Sequence, residues 1–165
     1  MAENRSVSIE VVSEDAKGMF DEGVAISKLR HNAVVKVPLT IEGLKAVREL
    51  SEENISTNVT LVFSANQALL AAKAGAHYVS IFVGRLDDIG INGMHVVEET
   101  DKVFGKYEAK IIAASIRHPL HVIDAAKSNA DIATLPYSVL EKLPKHPLTD
   151  IGLKQFLEDY KQWKK

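Results

Sequence analysis

Short β-branched runs alternate with longer amphipathic stretches along almost the whole sequence. The runs are Val7–Val12, Ala33–Val37, Val59–Phe63, Tyr78–Val83, Lys110–Ala114 and Asp131–Leu135. Their length and their Val and Ile content are those of strands. The stretches between them follow helical spacing over Asp15–Arg30, Thr40–Ser51, Ser64–Ala74, Gly93–Phe104 and His118–Ser128. Several carry end signals: Thr40 sits as an N-cap, Gly75 follows the end of its stretch, and Pro119 lies in a first turn. Parallel strands need a crossover of about a dozen residues or more, usually a helix. Strand and helix alternating at this spacing therefore predict six βα units and a parallel sheet. Ala71–Phe82 (AAKAGAHYVSIF) and Ala125–Pro136 (AAKSNADIATLP) echo each other as helix end, turn and strand, two units apart.

The last segment breaks this rhythm. Leu153, Phe156, Leu157, Tyr160 and Trp163 fall at helical spacing between charged residues. This predicts a final amphipathic helix. The pattern leaves open whether it packs on its own barrel or docks on a neighbouring subunit.

Composition narrows the function classes. The 165 residues are 46% hydrophobic and 25% charged, with a net charge of -2. That balance suits one globular domain over residues 1–165 and offers no basic excess for nucleic acid or an anionic membrane. No cysteine is present, which removes disulfides, thiolate nucleophiles and Cys-based zinc sites. No run has signal-peptide or membrane-span character, so the expectation is a soluble, cytoplasmic protein. His118 and His121 lie three apart with no third ligand in pattern, so no metal site is expected. Gly84, Gly90 and Gly93 match no phosphate-loop fingerprint and read as loop glycines around Asp87 and Asp88.

Lys36 is the strongest chemical signal. It interrupts the apolar run Ala33–Pro38, and alternation places it opposite the face shared by Val35 and Val37. In a parallel sheet covered on both faces it would be desolvated. Burial disfavours a charged amine, and the neutral amine is the nucleophile that Schiff-base formation needs. The plainer alternative is a strand-end lysine reaching solvent or a carboxylate. Glu10, Thr60 and Ser115 hold comparable positions on other strands. A buried carboxylate at Glu10 needs a partner, which Lys36 or a water held by Thr60 would supply. Polar residues converging at one end of a parallel barrel or sheet are what an active site there would look like. Arg85 and Arg117 each follow a strand, and such guanidinium groups beside a hydroxyl and a helix start suit a phosphate. The plainer alternatives are that Arg85 pairs with Asp87 or Asp88, or that both arginines are solvated loop charges.

Longer segments resemble a known family. Val34–Val47 (VVKVPLTIEGLKAV), Thr57–Ser80, Phe82–Gly90 (FVGRLDDIG), Ala113–Pro119 (AASIRHP) and Lys145–Tyr160 are similar to the short transaldolases, the subfamily that includes fructose-6-phosphate aldolase. The resemblance runs from about Ser6 to the C-terminus. It implies a TIM-barrel-type α/β fold, a cofactor-independent class I aldol enzyme and sugar phosphate substrates. It implies Lys36 as the Schiff-base lysine, with Glu10 and Thr60 positioning the water that moves protons. It implies that Arg85, Ser115 and Arg117 hold the substrate phosphate. Phe82 and Glu10 stand where aldolase members carry tyrosine and glutamine, which favours the transaldolase side.

One departure is large. Family members begin with two further βα units that carry an LDTA-like and a TTNP-like segment, and neither segment occurs here. The expectation is thus an incomplete (β/α)8 barrel: units three to eight plus a C-terminal helix. Its open strand edges and last helix would be completed in a homo-oligomer. The expected activity is transfer of a dihydroxyacetone unit between sugar phosphates, as in the pentose phosphate pathway. The alternatives are an impaired fragment acting through subunit association, or a fructose-6-phosphate aldolase-type lyase.

Overall fold

A computed structural model describes residues 5–164. The single-domain reading over residues 1–165 extends past these limits at both ends. The elements follow the order β1 (Val7–Glu10), α1 (Ala16–Ser27), β2 (Ala33–Pro38), α2 (Ile41–Glu52), β3 (Thr57–Val62), α3 (Ala65–Ala74) and β4 (Tyr78–Phe82). They continue as α4 (Val83–Asp87), α5 (Gly93–Phe104), β5 (Lys110–Ala114), α6 (Pro119–Lys127), β6 (Ile132–Ala133), α7 (Tyr137–Leu140) and α8 (Pro147–Trp163).

All neighbouring strands pair in parallel, in the order β1-β2-β3-β4-β5-β6. The sheet is therefore an open half-barrel of the TIM-barrel type, with β1 and β6 as its edges. The helix starts are capped by local side chains. Asp15, Thr40, Ser64 and His118 each accept a backbone N–H from the first turn that follows. The echo between Ala71–Phe82 and Ala125–Pro136 has a structural basis. Ala76 N–H bonds Ala71 carbonyl at 3.1 Å, and Ala130 N–H bonds Ala125 carbonyl at 3.0 Å. The residues before them, Gly75 and Asn129, take φ of 97° and 57°. Both are left-handed helix stops closing the same six-residue loop.

The two faces of the sheet differ. Val35, Val37, Val59, Val62, Val79, Ile81, Ile111 and Ala113 point to the helices and form the core with Met19, Val47, Leu50 and Val97. Each is 0–2% exposed. The opposite, concave face carries Ser8, Lys36, Asn58 and Ser80, and it borders open space. The expectation of a sheet covered on both faces is thereby corrected: six strands curve without closing, so the inner face keeps access to solvent.

Several boundaries also differ from the sequence expectation. β1 ends at Glu10, leaving Val12 87% exposed, and β6 is only Ile132–Ala133. Edge strands have one hydrogen-bonding neighbour, which shortens them. Gly84 and Gly93 are not loop residues: Gly84 lies in α4 and Gly93 opens α5. A Cβ on Gly84 would lie 2.1 Å from the Ser115 carbonyl oxygen, and one on Gly93 2.5 Å from Val83 Cα. Close backbone approach, not turn conformation, requires these glycines. Finally, α8 buries none of its residues. Leu157 is 60% and Phe156 71% exposed, which excludes packing of this helix on its own barrel.

Gly84→Ala should destabilise the fold by about 1–3 kcal/mol, because its clash is with backbone that cannot rotate away. A urea titration should show a lower midpoint at unchanged slope. An unchanged midpoint would mean that α4 is not held against the β5 exit.

Candidate functional site

The parallel register builds the site. Glu10 is paired across the sheet with Lys36, and Lys36 with Asn58. Asn58 in turn aligns with Tyr78. With one residue per strand in register, side chains of like parity share a face. The Lys36 ammonium donates to Glu10 Oε2 at 2.9 Å. The side chains are 26% and 50% exposed. Glu10 is thus neither buried nor in need of Thr60 for a partner, and Lys36 is not sealed from water. Both corrections follow from the open concave face.

Below this pair runs a second layer that sequence reading missed. Asn58 donates through Nδ2 to Ser8 Oγ at 3.0 Å and accepts from Ser80 Oγ at 2.8 Å. Asn58 and Ser80 are 4% and 3% exposed. Together with Lys36, Phe82, Ser115 and Thr134, they line a cavity of about 400 Å³. The signal was present: each is a polar residue at an interior position of an apolar strand. What was lacking was the register that aligns them. Thr60 Oγ1 is fully buried with no hydrogen-bond partner. It follows Asn58 on the same strand, next to a shift in β3–β4 pairing. Leu61, within that irregularity, has φ of 59°.

A second hollow of about 480 Å³ adjoins the first through shared Phe82, Ser115 and Thr134. Arg85 and Arg117 line it. Arg85 lies over the Phe82 ring at 5.0 Å from its centroid, a cation–π contact that fixes both. Arg85 was expected to pair with Asp87 or Asp88 if it had no site role. Those acids go elsewhere: Asp88 Oδ2 takes Arg117 at 2.9 Å, and Asp87 Oδ2 takes His121 at 2.9 Å. Ser115, at the exit of β5, has φ of 60°. A non-glycine residue held there costs on the order of 1–3 kcal/mol and is over-determined by its surroundings. Here the surroundings are α4, whose Gly84 lies against the Ser115 carbonyl. The structure thus brings Lys36 and Glu10 together, and separately gathers Phe82, Arg85, Ser115 and Arg117 at the adjoining strand ends. Thr60 lies in the wall between its neighbours and lines neither hollow.

Among the described residues, no group of three or more His, Asp or Glu side chains is placed to hold a metal ion. No helix among them is long and apolar enough to cross a membrane.

The arrangement is that of a TIM-barrel-type protein, whose sites lie at the C-terminal ends of parallel strands. The chain matches the family described as Transaldolase/Fructose-6-phosphate aldolase over residues 1–165. It is 60% identical over 161 residues to a probable transaldolase of Oceanobacillus iheyensis, covering 96% of this chain and 76% of that protein. It is 58% identical over 159 residues to a probable transaldolase of Caldicellulosiruptor saccharolyticus, covering 94% and 73%. A probable transaldolase of Methanococcus maripaludis is 59% identical over 156 residues, covering 93% and 73%. The chain belongs to the transaldolase/fructose-6-phosphate aldolase family.

Burial and the neighbouring His118 ring hold the His121 imidazole below its ordinary value, against the opposing pull of Asp87. The unfolded chain therefore takes up this proton first, at about pH 6.5. Stability should be full above that pH and fall as pH drops from there toward the folded-state value. Urea titrations at a series of pH values should show this loss, and it should flatten in His121→Asn.

Proposed function

We propose that this chain is a Schiff-base transaldolase acting on sugar phosphates, as one unit over residues 1–165. The observation that carries the reading is the Lys36–Glu10 ion pair, whose lysine lines a cavity joined to a hollow lined by two arginines. Lys36 attacks the donor ketone once its proton has passed to a base. Glu10, in direct contact, is placed to take that proton and to return one to the departing hydroxyl of the carbinolamine. Thr60, with a buried hydroxyl lacking a protein partner, suits a water that relays protons in the same steps. The iminium then draws electrons from the C3–C4 bond as it breaks. The C4 hydroxyl gives its proton to the regenerated Glu10 carboxylate, directly or through the relay water, and leaves as the aldehyde of an aldose phosphate. A dihydroxyacetone enamine remains for the acceptor aldehyde. Arg85, Ser115 and Arg117 would hold the phosphate end, with Phe82 forming the wall between sugar and phosphate. No metal or organic cofactor enters these steps. This chemistry fits the carbon-shuffling reactions of the pentose phosphate pathway, and a cytoplasmic location accords with it.

Two observations favour a second reading, in which imine formation survives but turnover is impaired. The sheet is open, and among the described residues no Asp or Glu lines the cavity beside Lys36 as a further acid/base. Loss of such a group typically costs about 10²–10⁴-fold. A fructose-6-phosphate aldolase-type lyase would differ only in releasing the enamine to a proton. Borohydride trapping with fructose 6-phosphate or dihydroxyacetone should add one adduct at Lys36, found by mass spectrometry, and Lys36→Met should abolish it. Glu10→Gln should slow adduct formation by about 10²-fold or more. Absence of an adduct on folded protein would sink the Schiff-base reading. Release of glyceraldehyde 3-phosphate, with and without an acceptor aldose phosphate, separates lyase from transferase and both from the impaired chain.

The same reading extends to assembly. We propose a homo-oligomer in which α8 lies against a second copy of the chain and the sheet edges are covered. The support is the row of exposed Ile151, Phe156, Leu157, Tyr160 and Trp163 on a helix with no buried residue. Burying each such side chain yields about 1.5–3 kcal/mol. Phe156→Asp combined with Trp163→Asp should shift the sedimentation coefficient toward that of the monomer. A wild-type monomer at micromolar concentration would refute the assembly.

A further inference from the structure

We infer that His121 is the positioning residue of the phosphate site, tying the two arginine-bearing segments together through its two ring nitrogens. The inference deepens the proposed function and rests on the reading of Arg85 and Arg117 as phosphate ligands. His121 touches neither hollow. It lies on the outer side, 7% exposed, in the first turn of α6.

Its two nitrogens do different things. Nδ1 accepts the backbone N–H of Arg117 at 3.3 Å. Nε2 lies 2.9 Å from Asp87 Oδ2 and donates to it. One neutral tautomer satisfies both bonds at once, with the hydrogen on Nε2. Asp87 closes α4, the five-residue helix that carries Arg85. Its other oxygen accepts Gly93 N–H at 2.9 Å, so it is held from the α5 side too. The imidazole is therefore a strut between the backbone at Arg117 and the end of the Arg85 helix. A parallel bridge, Arg117 to Asp88, spans the same gap but uses the side chain that must turn to a phosphate. The His121 strut uses no donor of the guanidinium, so it persists while the guanidinium engages a ligand.

The groups facing the ring are consistent with the neutral form. The His118 ring lies 3.7 Å away between centroids, tilted by 47°, and its Nδ1 accepts the backbone N–H of His121. Asp87 and Asp124 lie on the acidic side, and burial opposes their pull. A proton on Nδ1 would point at the Arg117 N–H and break the strut.

Two substitutions divide the ring's functions. His121→Asn places a carbonyl oxygen where Nδ1 was and keeps the acceptor for Arg117. His121→Gln places an amide nitrogen near Nε2 and keeps the donor to Asp87. Both bonds are needed for the strut, but the Arg117 backbone bond sets a ligand directly, so Gln should be the more damaging. The measurement is the half-saturating concentration for borohydride trapping at Lys36, with fructose 6-phosphate and with unphosphorylated dihydroxyacetone. Each variant is compared where its circular dichroism matches wild type. In His121→Gln the value for fructose 6-phosphate should rise about tenfold or more. The value for dihydroxyacetone should stay within about twofold. His121→Asn should recover most of the loss, although it is the smaller side chain, so a mere packing defect would order the two the other way. Equal shifts for both compounds, or no shift with fructose 6-phosphate, would overturn the inference. If the wild type forms no adduct, the Schiff-base reading fails by itself, and calorimetric titration with fructose 6-phosphate reads the strut instead. Tenfold weaker binding by His121→Gln then supports it. No binding by the wild type, or equal binding by both, overturns it.

Discussion

Parallel pairing between β1, β2 and β3 is the constraint on which everything else depends. It sets Glu10 beside Lys36 and Lys36 beside Asn58, one residue per strand, on the same face. A slip by one residue would turn each of these side chains toward the helices and bring Val35 or Val59 to the concave face. That slip is opposed by the fully buried valines on the other side. The apolar core therefore fixes the polar site indirectly: packing against the helices chooses the register, and the register aligns the chemistry.

The same division separates rigid from exposed parts. The helix side of the sheet is closely packed, with Leu50 set against Gly23 and Val83 against Gly93. The concave side holds a polar ladder in which Asn58 is the central member, bonded to strands on both sides through Ser8 and Ser80. Buried amide and hydroxyl groups are stable only when paired, so this ladder is committed to one arrangement. Where the sheet stops, at β1 and β6, and along α8, apolar surface remains uncovered. The interior of the chain is closely packed, and its periphery leaves apolar side chains exposed.

Much of this was legible in sequence. Alternating apolar runs and capped amphipathic stretches located the strands and most helices, because hydrophobic periodicity and end-capping act locally. Lys36, Glu10 and Thr60 stood out as polar residues interrupting apolar strands. Family motifs then tied Arg85, Ser115 and Arg117 to the same end. Helix α4 did not announce itself, since five residues are too few to show a period. The roles of Gly84 and Gly93 were hidden for a related reason: what excludes a side chain there is backbone from elsewhere in the chain. Asn58 and Ser80 were no less polar than Thr60, but only the register joins them to Lys36.

By itself the sequence determined the alternation of elements, the parallel α/β class, the helix ends and the family. Each of these depends on neighbours within a few residues or on motifs carried whole. Only the tertiary structure decided that the inner face stays open, that Glu10 is the lysine's partner, and that Asp88 and Asp87 serve Arg117 and His121 rather than Arg85. Those outcomes depend on the distances between residues far apart in the chain. Distances of that kind are fixed when strands take their register and helices settle on the sheet, and no local spacing encodes them.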